Sequence, residues 1–425
     1  MEPDEPVIVA LCRTPQYRVK KNPTGSPSTK DLISTVVKHA LLRANLGSSP
    51  CTSVEDVCFG NVLGGPAFMV TLRVGVIEGI KQSMQATCPT AYVPQPSASN
   101  VPVRAVNRQC ASGLQAIIDI ANQIRAGDIK VGLAGGVEVM SFNTMADSFG
   151  EGPDLGIDDD ADEGDETGNL KSCTSTAIMT PMGTTSENVA KEYGIARESQ
   201  DAFAYNSHVK AHAAWIGGKF DEEVVFPPNA SRSTHKVEDT GVRKTTTLEK
   251  LSDLRPAFAK SGVTTAGNSS QLSDGAACVV MMSRAEAARR NLPVLGSFLG
   301  VGVAGVPPRL MGVGPAFAVP LALKNAGLNK DDVDLWEINE AFASQALHCI
   351  KELNIDPAKV NVNGGGIALG HPLGCTGTRL VVSLINELSR RGGGVGCATM
   401  CIGTGMGCAA IVEVPKSGRR ASSNM

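Results

Sequence analysis

No stretch of this 425-residue chain is apolar for long enough to cross a bilayer as a helix. Neither sign of charge dominates. Lys and Arg number 39 against 42 Asp and Glu, and the net charge of −3 argues against nucleic acid as the main partner. The twelve cysteines include no Cys-x-x-Cys pair, and no secretory signal precedes them. That excludes a disulfide framework and points to free thiols in a reducing compartment. The opening Met1-Glu2-Pro3-Asp4-Glu5 is acidic, the wrong chemistry for a secretory or mitochondrial address. No metal is expected. The one tempting run, 151–166, carries nine acidic residues and no basic one, with Asp158, Asp160 and Asp162 at alternate positions. A calcium loop of the EF-hand type needs glycine sixth and glutamate twelfth, where this chain has Glu163 and Asn169.

What is present is 42% hydrophobic residues and 46 glycines, the composition of a turn-rich α/β protein of two or three domains. Residues 7–11 read as a buried strand. Ser28 can cap a helix through Leu32, Val36, Val37, Ala40 and Leu41, and 57–63 reads as a strand. Proline-rich sequence then looks irregular up to Val101. Residues 131–139 form a glycine-bearing buried strand. The alternation predicts a mostly parallel sheet covered on both faces. At Ser141 the pattern breaks into the acidic run, which cannot bury itself and reads as a mobile loop. Two helices (184–193 and 196–215) and a polar stretch to Gly262 follow. Residues 141–262 are therefore expected to form an inserted loop domain within a first half, 1–140 and 263–291. A strand over 276–282 closes that half. From Pro293 the plan repeats through 292–414, and 415–425 is a basic, serine-rich tail expected to be flexible. The two halves read as an internal duplication.

Four short segments carry reactive residues beside glycines. In Asn107-Arg108-Gln109-Cys110-Ala111-Ser112-Gly113-Leu114, a β-prone run leads in. Leu114, Ile117, Ile118, Ala121 and Ile124 follow at helical spacing. Cys110 thus belongs on a strand-to-helix turn, where unpaired N–H groups and the helix dipole lower a thiol's pKa. The small residues after it would let a substrate carbonyl approach the backbone. A buried structural cysteine is the plainer alternative. The others are the Asn339-Glu340-Ala341-Phe342 segment, the 363–374 run with His371 inside it, and Cys401-Ile402-Gly403-Thr404-Gly405. Residues 363–374 lack the G-x-G-x-x-G order and lie far from the first strand, so they do not indicate a dinucleotide site.

With NRQCASGLQA, PMGTTSENVA, TTAGNSSQLSDGAA, GVPPRLMGVGPAFA, EINEAFASQA, GGGIALGHPLGCTG and MCIGTGMG together, the chain resembles the thiolase family, most closely its peroxisomal 3-ketoacyl-CoA type, from Val7 to about Val414. The resemblance implies two duplicated α/β halves and a CoA-dependent thiolytic cleavage of 3-ketoacyl-CoA through an acyl-cysteine. It implies that Cys110 is the nucleophile and that His371 supports its thiolate and one oxyanion hole. Asn339 would hold the water completing that hole, and Cys401 would be the acid/base. The N–H groups of Cys110 and Gly403 would form a second hole. Ser270 and Met182 match positions lining the pantetheine tunnel, though core packing accounts for Met182 equally well. No permanently bound cofactor is implied; coenzyme A is a co-substrate. A homodimer or tetramer is implied as well.

Pro181 before Met182 leans to a degradative, broad-chain enzyme rather than an acetoacetyl-CoA-specific one, the nearer rival. A non-catalytic acyl-CoA binder has no need of all four reactive residues. Residues 79–103 and the acidic run depart from the family pattern, and 229–239 looks shortened where relatives carry basic residues. Arg243 and Lys244 remain candidates for phosphate contact, with a solvated surface pair as the alternative. The closing Ser423-Asn424-Met425 loosely resembles a peroxisomal Ser-Lys-Leu address. A peroxisomal location is therefore expected, with the cytoplasm as the alternative.

Overall fold

The computed structural model describes residues 3–19, 27–46, 53–65, 67–87, 100–142, 178–227 and 238–416. The acidic run and the tail tripeptide lie outside them. One sheet of ten strands runs through the molecule. Its members are β1 (Pro6–Arg13), β2 (Tyr17–Arg18), β3 (Asp56–Gly60), β4 (Val103–Val106), β5 (Val131–Val139), β6 (Ser273–Ser283), β7 (Gly296–Gly305), β8 (Leu335–Ile338), β9 (Gly394–Ile402) and β10 (Met406–Val414). The order is β4-β3-β5-β6-β1-β7-β10-β9-β8, with β2 beside β6. β1 and β7 join at Val7↔Ser297 and Ile8↔Gly296 alone. On either side of that seam the chain pairs in the same sequence. Val360 bridges Trp336 in parallel where β4 pairs with β3 in the first run.

The expectation of a mostly parallel sheet is corrected by the registers. Only β3–β4, β3–β5 and β8–β9 are parallel, whereas β1–β6, β1–β7, β5–β6, β7–β10, β9–β10 and β2–β6 run antiparallel. Alternation of strands and helices in sequence does not reveal that the last strand of each run returns antiparallel beside its predecessor, β6 on β5 and β10 on β9.

Helices α1 (Thr29–Arg43) and α2 (Phe68–Thr87) cover one outer face. Ser28 caps α1, its hydroxyl accepting from the Asp31 N–H. The helix α2 was expected to be irregular chain. Its stripe of buried Phe68, Leu72, Val76 and Ile80, four residues apart, packs on α1, with Gly75 and Gly79 pressed against Ile33 and Val37. Helices α3 (Ser112–Ala126) and α11 (Leu373–Arg390) form a middle layer that touches strands of both runs. The second outer layer is α8 (Gly314–Ala326) and α9 (Ala343–Glu352). Strands buried on both faces split their residues between layers. In β6, Ala276, Cys278, Val280 and Met282 face α1 and α2, while Ala277, Val279 and Met281 face α3. Between β5 and β6 the described part of the insertion holds α4 (Met182–Glu192), α5 (Arg197–Ile216) and the short α6 (Leu248–Ser252). The remaining helices are the short α7 (Arg284–Arg289) and α10 (Gly366–Leu369). Nine cysteines are free among the described residues. No helix there is long and apolar enough to cross a membrane.

Candidate active site

The chain leaves β4 and turns sharply at Gln109, a non-glycine residue held at φ 47°, so that Cys110 stands two residues ahead of α3. Asn107 Oδ1 accepts from the Gln109 N–H at 2.9 Å. The Ser112 hydroxyl accepts from the Arg108 N–H at 2.9 Å and donates to the Gln109 carbonyl at 2.6 Å. Gly113 serves a different purpose from the expected one. A Cβ there would lie 2.5 Å from the Gly374 carbonyl and 2.7 Å from Thr378 Oγ1, so glycine allows α3 and α11 to cross rather than a substrate to approach.

His371 stands at the equivalent place, two residues ahead of α11. Its Nδ1 is 2.6 Å from Thr376 Oγ1, and that hydroxyl donates to the Pro372 carbonyl at 2.9 Å. With its single proton so used, Thr376 accepts from Nδ1–H, and Nε2 keeps its lone pair. Nε2 lies 3.4 Å from Asn339 Nδ2. Burial pushes His371 down to about 3, and the positive charge of Arg379 adds to that. Asn339 Oδ1 is buried and has no partner among the described residues.

The turn between β9 and β10 crosses to Cys110. The backbone N–H groups of Gly403 and of Cys110 itself stand close enough to the Cys110 sulfur to favour its charged form. Cys401, fully buried in β9, lies near enough to Cys110 for charge on the two thiols to repel. Burial first, then that neighbour, drive the Cys401 thiol well above its usual range. A Cβ on Gly403 would stand 3.8 Å from Met182 Sδ, and Met182 packs on Cys401, Met311 and Phe342.

Cys110 does not have the lowered pKa expected of a helix-terminal thiol. Burial pushes it up to about 11, more than the two N–H donors recover, and the nearby Glu138 carboxylate pushes the same way. The buried His371, lowered to about 3, is neutral and sets no positive charge beside the thiol.

Ser270 is tied to this region by its N–H on the Ala341 carbonyl at 2.9 Å, and the next carbonyl, Gln271, accepts from the His371 N–H at 3.1 Å. Arg243 has its N–H on His208 Nδ1 at 3.2 Å and its guanidinium beside the like-charged Arg18. Lys244 pairs with Glu238 on the surface. No group of His, Cys, Asp and Glu among the described residues could hold a metal.

Three polar residues at the site escaped the sequence reading. Thr376 fixes the imidazole. Glu340, next to Asn339, accepts from Ser207 Oγ at 2.6 Å, Asn361 Nδ2 at 2.7 Å and the Ile367 N–H at 3.2 Å. Glu138 is fully buried in β5. A lone acid in the otherwise apolar, glycine-rich run from Val131 to Met140 was the signal that could have found it.

Two family models match the chain, the thiolase N-terminal domain over residues 6–285 and the thiolase C-terminal domain over 292–414. Among curated relatives, the peroxisomal 3-ketoacyl-CoA thiolase 2 of Arabidopsis thaliana is 42% identical over 420 residues, covering 96% of this chain and 84% of its own. The human peroxisomal 3-ketoacyl-CoA thiolase is 42% identical over 418 residues, covering 96% and 91%. Among solved structures, the dimeric peroxisomal thiolase of Saccharomyces cerevisiae superposes with a TM-score of 0.83 at 40% identity, over 98% of each chain. A human mitochondrial 3-ketoacyl-CoA thiolase in complex with CoA gives 0.79 at 34% identity, over 98% of this chain and 99% of the other.

Proposed function

The chain belongs to the thiolase family, and we propose that it cleaves 3-ketoacyl-CoA with CoA to acetyl-CoA and a shortened acyl-CoA, the thiolytic step of fatty acid β-oxidation. The observation that carries this is the convergence on Cys110 of the Gly403 N–H and the Cys401 thiol, with His371 on the matching turn ahead of α11 and its Nε2 3.4 Å from Asn339 Nδ2.

In the proposed sequence, the Cys110 proton passes to His371 Nε2, whose lone pair the Thr376 contact leaves available. The thiolate adds to the 3-keto carbon. The bond between C2 and C3 breaks, leaving the acyl group on Cys110 and an acetyl-CoA enolate. The Nε2–H now on His371 and a water on the unpartnered Oδ1 of Asn339 hold that enolate oxygen. Such donors are commonly worth about 3 kcal/mol each. The Cys401 thiol protonates the carbon. As thiolate, it then takes the proton of the incoming CoA thiol. The CoA sulfur attacks the acyl-cysteine, whose oxyanion rests on the N–H groups of Cys110 and Gly403. Collapse releases acyl-CoA, and Cys110 recovers its proton from His371.

Ser270 and Met182 are proposed to line the pantetheine path. The proposal for Arg243 is a CoA phosphate, supported by its lying beside Arg18 with no ion pair for either among the described residues. The domain division is proposed as 1–140 with 263–291, the insertion 141–262, and 292–414. We propose a homodimer without permanently bound cofactor, CoA being a co-substrate. A peroxisomal location is proposed on the strength of the peroxisomal relatives.

A CoA-dependent thiolysis assay across acetoacetyl-CoA and longer 3-ketoacyl-CoAs tests the reading. Cleavage of the longer substrates is expected. Activity on acetoacetyl-CoA alone would favour the acetoacetyl-specific rival, and no acetyl-CoA from any substrate would end the enzymatic reading.

A further inference from the structure

The repeat of the fold places residues in matching pairs. Asn61 directly follows β3 as Asn339 follows β8. Cys110 precedes α3 by the two residues that separate His371 from α11. Glu138 is the penultimate residue of the nine-residue β5, and Cys401 is the penultimate residue of the nine-residue β9. The second repeat thus contributes Asn339, His371 and Cys401 to the chemistry; the first contributes Cys110, and has Asn61 and Glu138 where its counterpart has an amide and a thiol.

Asn61 and Glu138 are bonded to each other, Nδ2 to Oε1 at 2.9 Å. Oε1 also accepts from the Leu63 N–H at 3.2 Å; Oε2 accepts from the Val62 N–H at 3.0 Å and from the Gly374 N–H, in the first turn of α11, at 3.0 Å. Every partner is an N–H donor, and each oxygen serves two. These donors belong to the two segments that wall the nucleophile: Cys110 packs on Leu63, Met140 and Leu373 together with Val62. Gly374 lies three residues beyond His371.

We propose that Glu138, with Asn61, is a positioning residue for the thiolase reaction, a buried carboxylate that sets the spacing between the Cys110 pocket and the His371 turn. This rests on the thiolase reading. A glutamine at 138 would be the right shape and the wrong chemistry. Whichever oxygen became NH2 would face two N–H groups, leaving buried donors unpaired. The 61–63 segment or the α11 turn would have to withdraw, and shifts on the order of 1 Å cost about 100-fold in rate.

Thiolysis by the wild type and its loss in Cys110→Ala are measured first, so that failure of the thiolase reading appears there. Glu138→Gln is then expected to remain folded by circular dichroism and gel filtration. Its kcat should fall by at least about ten-fold, with KM for both substrates within about three-fold. Glu138→Asp keeps the charge and all the acceptor lone pairs and should recover part of that loss. A folded Glu138→Gln with kcat within about three-fold of wild type overturns the proposal, as does a loss lying wholly in KM. If Glu138→Gln does not fold, Asn61→Ala decides. It removes one donor and leaves the carboxylate. A kcat several-fold lower at unchanged KM is expected, and an unchanged kcat overturns the proposal.

Discussion

The backbone N–H of Gly403, in the β9–β10 turn of the second repeat, stands close enough to the sulfur of Cys110, on the turn ahead of α3 in the first, to favour its charged form. The donor that would cradle an acyl oxyanion is therefore already in place, while the thiol itself is held protonated by burial.

That combination sets the alkylation chemistry. Cys110 is the one half-buried thiol among the nine described; the other eight are buried. Inactivation by iodoacetamide should track labelling of Cys110, followed by mass spectrometry. With its pKa pushed up to about 11, the rate in ligand-free enzyme should still be climbing above pH 8.5. A rate that levels off below pH 7.5 would show a thiolate stabilised by something other than these contacts.

The two site cysteines should separate cleanly on substitution. Cys401→Ala keeps the nucleophile and both N–H donors but has no carbon acid, so it should acylate slowly and turn over about 100- to 10,000-fold more slowly. Cys110→Ala should show no acylated species in the intact mass after substrate is added. An acyl adduct on Cys110→Ala would reverse the assignment.

Much of this was legible in the sequence because the reactive residues sit on glycine-marked turns at the ends of strongly apolar elements. Cys110 before Leu114, Ile117, Ile118, Ala121 and Ile124 is an example. What was not legible depended on distant chain. The antiparallel pairing of β6 with β5 joins strands separated by residues 140–272, a contact no local pattern reveals. The raised thiol pKa follows from burial by Leu63, Met140 and Leu373, far apart in sequence. Helix α2 is a different case. Phe68, Leu72, Val76 and Ile80 carried the helical spacing, and the prolines downstream of Thr87 obscured it.

Thr376 should matter through His371. In Thr376→Val the Nδ1–H loses its acceptor inside the protein, a cost of about 1–3 kcal/mol, and the tautomer that exposes the Nε2 lone pair is no longer favoured. We expect kcat to fall roughly ten-fold with KM nearly unchanged. An unaltered kcat would remove Thr376 from the site.

Acid sensitivity should carry the mark of the same imidazole. In the folded protein His371 is lowered to about 3, whereas an unfolded histidine takes a proton near pH 6.5. The unfolded state therefore binds more protons below that value. The contribution of His371 is fully present above about pH 6.5 and is lost as pH falls towards 3, at up to about 1.4 kcal/mol per unit. His208 and His39, each lowered to about 4 by burial, act in the same direction. The drop in Tm between pH 7 and pH 5 should be smaller in His371→Gln than in wild type. An equal drop would place the acid sensitivity elsewhere.

Arg13 ends β1 fully buried, with Nε 2.6 Å from Glu223 and Nη1 and Nη2 at 2.8 and 3.1 Å from Asp239. Asp239 also accepts from the Gln16 N–H at 2.6 Å and Trp215 Nε1 at 3.0 Å, and Glu223 accepts from Ser383 Oγ of α11 at 3.2 Å. One guanidinium thus fastens two separate parts of the insertion to the first strand and to the helix that follows His371. Such a pair is no proof of net stabilisation, because taking three charges out of water costs much of what their attraction returns. Removing only the cation is different, since it strands two carboxylates in the interior. Arg13→Met should therefore destabilise by about 3–5 kcal/mol, read as a large fall in Tm and faster proteolysis within residues 178–262. Adding Glu223→Gln and Asp239→Asn to Arg13→Met should restore part of the loss, because uncharged amides need no counter-ion. If the triple variant is less stable than Arg13→Met alone, the carboxylates are held by their other donors, and the arginine is not what retains the insertion.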